Sequence, residues 1–92
     1  MNALYAYQMK GLTVVRMAGG HEEILDCTLR EACRMYGMIR IHKSYIVKAE
    51  NSDGRMHDPH NGNMVVKFAD TVLPVSRRRQ CVIFNKIKPV QL

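Results

Sequence analysis

A chain of 92 residues has room for one domain. At 47% hydrophobic and 24% charged residues it reads as a folded soluble protein and not as a disordered one. No apolar run approaches the roughly 20 residues of a membrane helix, and the opening MNALYAYQMKG lacks the basic-then-apolar pattern of a signal peptide, so a cytoplasmic location is expected. Lysine and arginine total 14 against 8 acids, a net charge of +6.

That charge is segregated. The acids fall at Glu22, Glu23, Asp26, Glu31, Glu50, Asp53, Asp58 and Asp70, and none lies in residues 1–21, 32–49 or 71–92. Those acid-free stretches hold Lys10, Arg16, Arg34, Arg40, Lys43, Lys48, Arg77, Arg78, Arg79, Lys86 and Lys88. Brought to one side, they would form the electrostatic footprint of a polyanion binder.

In chain order, residues 3–8 and 12–17 read as strands joined by a turn at Met9-Lys10-Gly11. Gly19-Gly20 breaks the chain before a short third strand near 22–26. Thr28 and Glu31 have the spacing of a capping box and open a short helix with Leu29, Ala32 and Cys33 on one face, ending at Gly37. MIRIH and SYIV then form one strand, or two with a kink. Alternation turns Ile39 and Ile41 inward and Arg40 and His42 to water. Residues 50–63, with Gly54, Pro59 and Gly62, read as a long exposed loop. MVVKF and TVLPV form a hairpin through Ala69-Asp70. Ser76 is placed to cap a last helix over 77–87, with Val82, Ile83, Ile87 and Phe84 as its apolar face and Lys86 and Lys88 at its C-terminal end. Short strands without long crossover helices predict antiparallel sheets.

Catalysis is not expected. The chain has no GxSxG, HExxH, P-loop or dinucleotide fingerprint. His57-Asp58-Pro59-His60 fits no standard zinc spacing and reads as a surface turn, so neither a metal nor another cofactor is predicted. Cys27, Cys33 and Cys81 lack CxxC spacing and read as buried reduced thiols.

Two stretches remain unexplained by a solvated surface. RIHKSYIV (40–47) crowds Arg40, His42, Lys43 and Ser44 together, and LPVSRRRQ (73–80) sets three arginines at a helix start. Cations there oppose the helix dipole, a conflict that a bound phosphate would relieve. Arginine also has the planar fork that matches guanine O6 and N7.

The capped TLREA helix, then MIRIHKSYIV, then MVVKF and TVLPVSRRR before a closing helix, resembles the LytTR family of bacterial DNA-binding domains over nearly the whole chain. The resemblance implies a mainly β fold, an elongated stack of small antiparallel sheets with two short helices. It also implies a sequence-specific transcriptional regulator whose loops enter successive major grooves of double-stranded DNA with repeated half-sites, with a homodimer on DNA or another transcription regulator as further partners. Carried over by motif position, Lys43 and Arg77 are base readers, with Lys10 as a third from the first turn. Ser44, with Arg40, His42, Ser76 and Arg78, is expected on the backbone. Arg40 has an alternative role, pairing an acid such as Glu31. Arg16, Lys48 and Arg79 are further phosphate candidates.

The chain departs from the family pattern at Lys48, where asparagine is usual, and in the loop 50–63. It has no room for a receiver domain, so control by aspartyl phosphorylation in cis is not expected. The alternative function is a protein-interaction module of the same fold, such as an antagonist of a host regulator, with the methionines as an adaptable surface. RNA binding is disfavoured by the few aromatics, four Tyr and two Phe.

Overall fold

The computed structural model describes residues 2–91. Strands β1 (Ala3–Met9) and β2 (Leu12–Met17) form the expected hairpin, with Met9 opposite Leu12. Lys10 and Gly11 turn it at φ 51° and 81°. Two left-handed residues in a row give the type I′ turn whose twist matches that of the flanking strands. Strand β3 (Glu22–Leu25) pairs with β2.

Helix α1 (Leu29–Tyr36) opens on the predicted capping box. The Glu31 amide donates to the Thr28 hydroxyl and the Thr28 amide donates to the Glu31 carboxylate, both at 3.1 Å. Those bonds, from the Thr28 amide first and its hydroxyl second, hold the Glu31 carboxyl below its ordinary range. Gly37 closes the helix in the left-handed conformation at φ 64°.

RIHKSYIV resolves into two strands. β4 (Ile39–His42) and β5 (Tyr45–Val47) pair antiparallel around Lys43-Ser44. The segment 50–63 is less irregular than its polarity predicts. It contains a 3₁₀ turn at Ala49–Asn51 and a strand, β6 (Gly54–His57), leaving a loop over 58–63. β6 is missed in the sequence because its support is remote. Gly54, at φ 122°, lies so close to the C-terminal segment that a Cβ would meet the Lys88 carbonyl at 2.7 Å. Arg55 pairs with Pro89 in a parallel bridge and donates from Nε to the Ile87 carbonyl at 2.9 Å. Its guanidinium lies 3.9 Å above the Phe84 ring.

β7 (Met64–Phe68) pairs with β6 on one side and with β8 (Thr71–Pro74) on the other. The last helix begins later than expected. Arg77–Arg79 form a 3₁₀ turn and α2 spans Gln80–Lys86. The Ser76 side chain makes no capping bond, and its carbonyl accepts instead from the Arg79 amide at 2.9 Å. Ile83 and Ile87 are buried as expected, whereas Val82 and Phe84 are exposed. The thiols also differ from expectation: Cys27 and Cys33 are half-buried and Cys81 is exposed.

The strands make two antiparallel sheets, β3-β2-β1-β5-β4 and β6-β7-β8. The molecule is mainly β with two short helices, and its extents are 34 × 27 × 23 Å. The larger sheet is covered on both faces. Ala6, Val15 and Ile46 pack with Leu29, Ala32 and Met38 of the α1 region. Tyr5, Ile41 and Val47 pack with Met64, Val66, Phe68 and Leu73 of the second sheet and with Ile83 and Ile87. Each fully buried aliphatic side chain contributes about 1.5–3 kcal/mol, so these layers hold the sheets in a fixed relation. No helix among the described residues is long and apolar enough to cross a membrane.

Candidate nucleic-acid interface

Strand register decides which turns share an end of the molecule. Tyr7 lies opposite Tyr45, and both strands run on to their turns from that pair. The Lys10-Gly11 and Lys43-Ser44 turns therefore leave the same end of the larger sheet. One backbone bond within the second sheet and one from it to the larger sheet place the second sheet's end there. The Val75 amide donates to the Met64 carbonyl at 3.1 Å, and the Ser76 amide donates to the Ile41 carbonyl at 2.8 Å. The RIHKS and PVSRRR segments, remote in the chain, are thus joined main chain to main chain.

Between them lies a cleft of about 380 Å³ lined by Arg40, His42, Lys43, Ser76, Arg78 and Arg79. Four of those side chains are cationic, and no acidic residue lines the cleft. Arg77 is exposed but stands outside the cleft, and Lys10 is exposed at the neighbouring hairpin tip.

The β4–β5 turn is held by side chains. A bulge shifts the register between Arg40 and His42, so that His42 faces Tyr45, with ring centroids 5.6 Å apart. Without that extra residue His42 would face Ser44, and the strict alternation expected for this strand is broken here. Arg40 donates from Nε to the His42 carbonyl at 3.2 Å and from Nη2 to the Lys43 carbonyl at 2.6 Å. The Ser44 amide donates to His42 Nδ1 at 3.1 Å, which leaves Nε2 as the imidazole's N–H. Arg40 makes no ion pair with Glu31, whose carboxylate is taken up by Thr28. Two of the five guanidinium donors are used in the turn, and the others remain for a ligand.

The ion pairs lie elsewhere. Arg16 contacts Glu22 at 3.6 Å and Asp70 at 2.9 Å, tying the larger sheet to the tip of the β7–β8 hairpin. Lys67 pairs with Asp53 at 3.4 Å. Beside Arg16, the Tyr7 hydroxyl donates to Glu22 at 2.9 Å. Burial first, and that bond second, push the Tyr7 pKa up, so the phenol stays a donor. Lys48 donates from Nζ to the Tyr36 carbonyl at the end of α1. Arg16 and Lys48 therefore have structural partners. Among the described residues, Lys10, Arg40, Lys43, Arg77, Arg78 and Arg79 have no ion-pair partner.

Sequence reasoning named the members of the cleft one by one, but not the Ser76–Ile41 bond that assembles them. Arg79, ranked low among the phosphate candidates, lines the cleft beside Arg78. No group of three or more His, Cys, Asp or Glu among the described residues is placed to hold a metal.

A family profile for the LytTr DNA-binding domain matches residues 2–88, a span that includes both motifs, every strand and both helices. No curated protein and no solved structure matches the chain significantly. The profile match across nearly the full length places the chain in the LytTR family of DNA-binding domains, typically regulators of bacterial transcription.

Proposed function

We propose that this domain binds double-stranded DNA sequence-specifically through loops that enter successive major grooves, and that it regulates transcription in doing so. Lys43 and Arg77 read base edges from the two joined segments, with Lys10 as a third reader at the adjacent hairpin tip. Arg40, His42, Ser44, Ser76 and Arg78 hold the phosphate backbone. Phosphate contacts set position and base contacts set sequence, so donors of both kinds must sit side by side.

The observation that carries this reading is the cleft in which the two motifs converge, rich in cations that lack acidic partners. Arg40 serves there twice. It fixes the Lys43-Ser44 turn through two carbonyls and presents its spare N–H groups beside them. Arginine at position 77, clear of internal ion pairs, keeps its fork free for guanine.

Selection of bound sequences from a random duplex library tests the proposal. The expected product is a direct or inverted repeat with half-sites about one helical turn apart, bound as two copies. Recovery of no preferred sequence at any salt concentration would sink it, and would favour the protein-interaction alternative.

A further inference from the structure

The loop between β6 and β7 is assigned no role by the reading above, yet it leaves the molecule at the same end. His57 lies opposite Met64, so residues 58–63 project beyond that pair. Met64 is the residue whose carbonyl accepts from Val75, one residue before the Ser76–Ile41 link. In the larger sheet the β1–β2 and β4–β5 turns share this end, the Ser76–Ile41 bond ties the exit of β8 to it, and in the second sheet the β6–β7 loop leaves beside that exit. With strands 4.7–4.9 Å apart, the middle of that loop lies roughly 7 Å beside the exit of β8. A duplex carries about four phosphate charges over that axial distance, counting both strands.

The loop is internally closed. The Asp58 amide donates to the Asn63 carbonyl at 2.8 Å and the Gly62 amide to the Asp58 carbonyl at 2.7 Å. The His60 amide donates to Asp58 Oδ1 and the Asn63 amide to Asn61 Oδ1, each at 2.8 Å. These bonds engage two side-chain acceptors with main-chain amides: one oxygen of the loop's one carboxylate, Asp58 Oδ1, and the Asn61 carbonyl oxygen. The exposed side chains left over are the Asn61 NH₂ group, the Asn63 amide and the His60 imidazole, which are rich in donors. A loop closed by its own main-chain bonds, with Asp58 Oδ1 and Asn61 Oδ1 turned to internal amides and side-chain N–H donors on its surface, can meet a phosphate backbone through those donors.

We propose that Asp58–Asn63 is a further DNA-contacting element, which docks through His60, Asn61 and Asn63 on phosphates flanking the base-read site. The proposal rests on the DNA reading above and extends it to a segment where this chain departs from the family's sequence pattern.

The test is Asn61→Asp, which retains the Oδ1 acceptor for the Asn63 amide while replacing the donors with a negative charge. Gln91→Glu, which makes the same change of charge beside the remote cleft shared by Gly54 and the C-terminal segment, is the control. Binding is measured on the selected duplex at full length and after shortening each flank in turn, with hydroxyl-radical footprints and melting curves for every variant. Asn61→Asp should weaken binding to the long duplex by about tenfold and remove protection from one flank, while Gln91→Glu changes affinity less than about twofold. Shortening that flank should abolish most of the difference between Asn61→Asp and wild type. The pair His60→Ala and Asn63→Ala should lose the same flank protection. If Asn61→Asp binds like Gln91→Glu while binding still depends on Lys43 and Arg77, the loop proposal alone is overturned. If the wild-type protein selects no duplex, both proposals fall.

Discussion

The two ends of this small molecule use the same residue types for opposite purposes. At one end Arg16 is caught between Glu22 and Asp70, and Lys67 lies against Asp53. Those cations stitch strands and sheets together. At the other end Arg40, Lys43, Arg78 and Arg79 surround a cleft without an acid in its lining, and Lys10 and Arg77 stand exposed beside it. Net charge alone does not distinguish the two uses. Partnership does, because a cation already paired has less to gain from a phosphate.

Arg77→Ala should open the widest gap between the ends. We expect it to cost about 1–3 kcal/mol of discrimination for the selected duplex, with weak binding to random duplex retained. Equal losses on both duplexes would make Arg77 a phosphate contact. Next comes Arg40→Lys, which retains the charge but cannot donate to the His42 and Lys43 carbonyls from a planar fork. A loss of roughly tenfold in affinity with an unchanged salt slope is expected from the loosened turn. Full activity in the lysine variant would show that charge alone matters at this position.

Lys43→Ala should act less sharply than Arg77→Ala, since ammonium is a point charge, and should broaden preference at one or two positions in a selection profile. The salt series sharpens the contrast further. With about four to six phosphates neutralised per protomer, log K should fall against log salt with a slope near −4 to −5. Arg78→Ala should flatten that slope by about one unit and leave the preferred sequence unchanged. The smallest effect belongs to the paired end: Arg16→Ala should cost at most about 1 kcal/mol of stability, read from denaturant unfolding, and leave the salt slope alone. A slope change as large as that of Arg78→Ala would erase the distinction between the ends.

What could be read from the sequence was whatever is encoded locally. The Lys10-Gly11 turn, the Thr28–Glu31 capping box, the Gly37 stop and the Ala69-Asp70 hairpin each depend on adjacent residues, and each is present. What depends on remote partners was not legible. β6 reads as loop because Gly54 and Arg55 are supported by Ile87–Val90. Ser76 looks like a helix cap, but its main chain is drawn to Ile41 and a 3₁₀ turn intervenes before α2. Phe84 looks like core, but it stays exposed with the Arg55 guanidinium over its ring. For the site, residue types and motif order pointed to DNA, while the bulge that turns His42 toward Tyr45 left no mark in composition or periodicity.

The bond from the Ser76 amide to the Ile41 carbonyl has a mechanical consequence for the proposed reading. It makes the separation between Lys43 and Arg77 a property of packed strands and not of a tether, so that, under that reading, the two side chains would act as a fixed caliper. A duplex gripped at both points has to accommodate that spacing by changing its own twist or bend. The energy of doing so depends on the stiffness of the base-pair steps between the contacts. Base pairs touched by no side chain would then influence affinity through their compliance, and pyrimidine–purine steps in the spacer would be favoured wherever the caliper and relaxed DNA disagree.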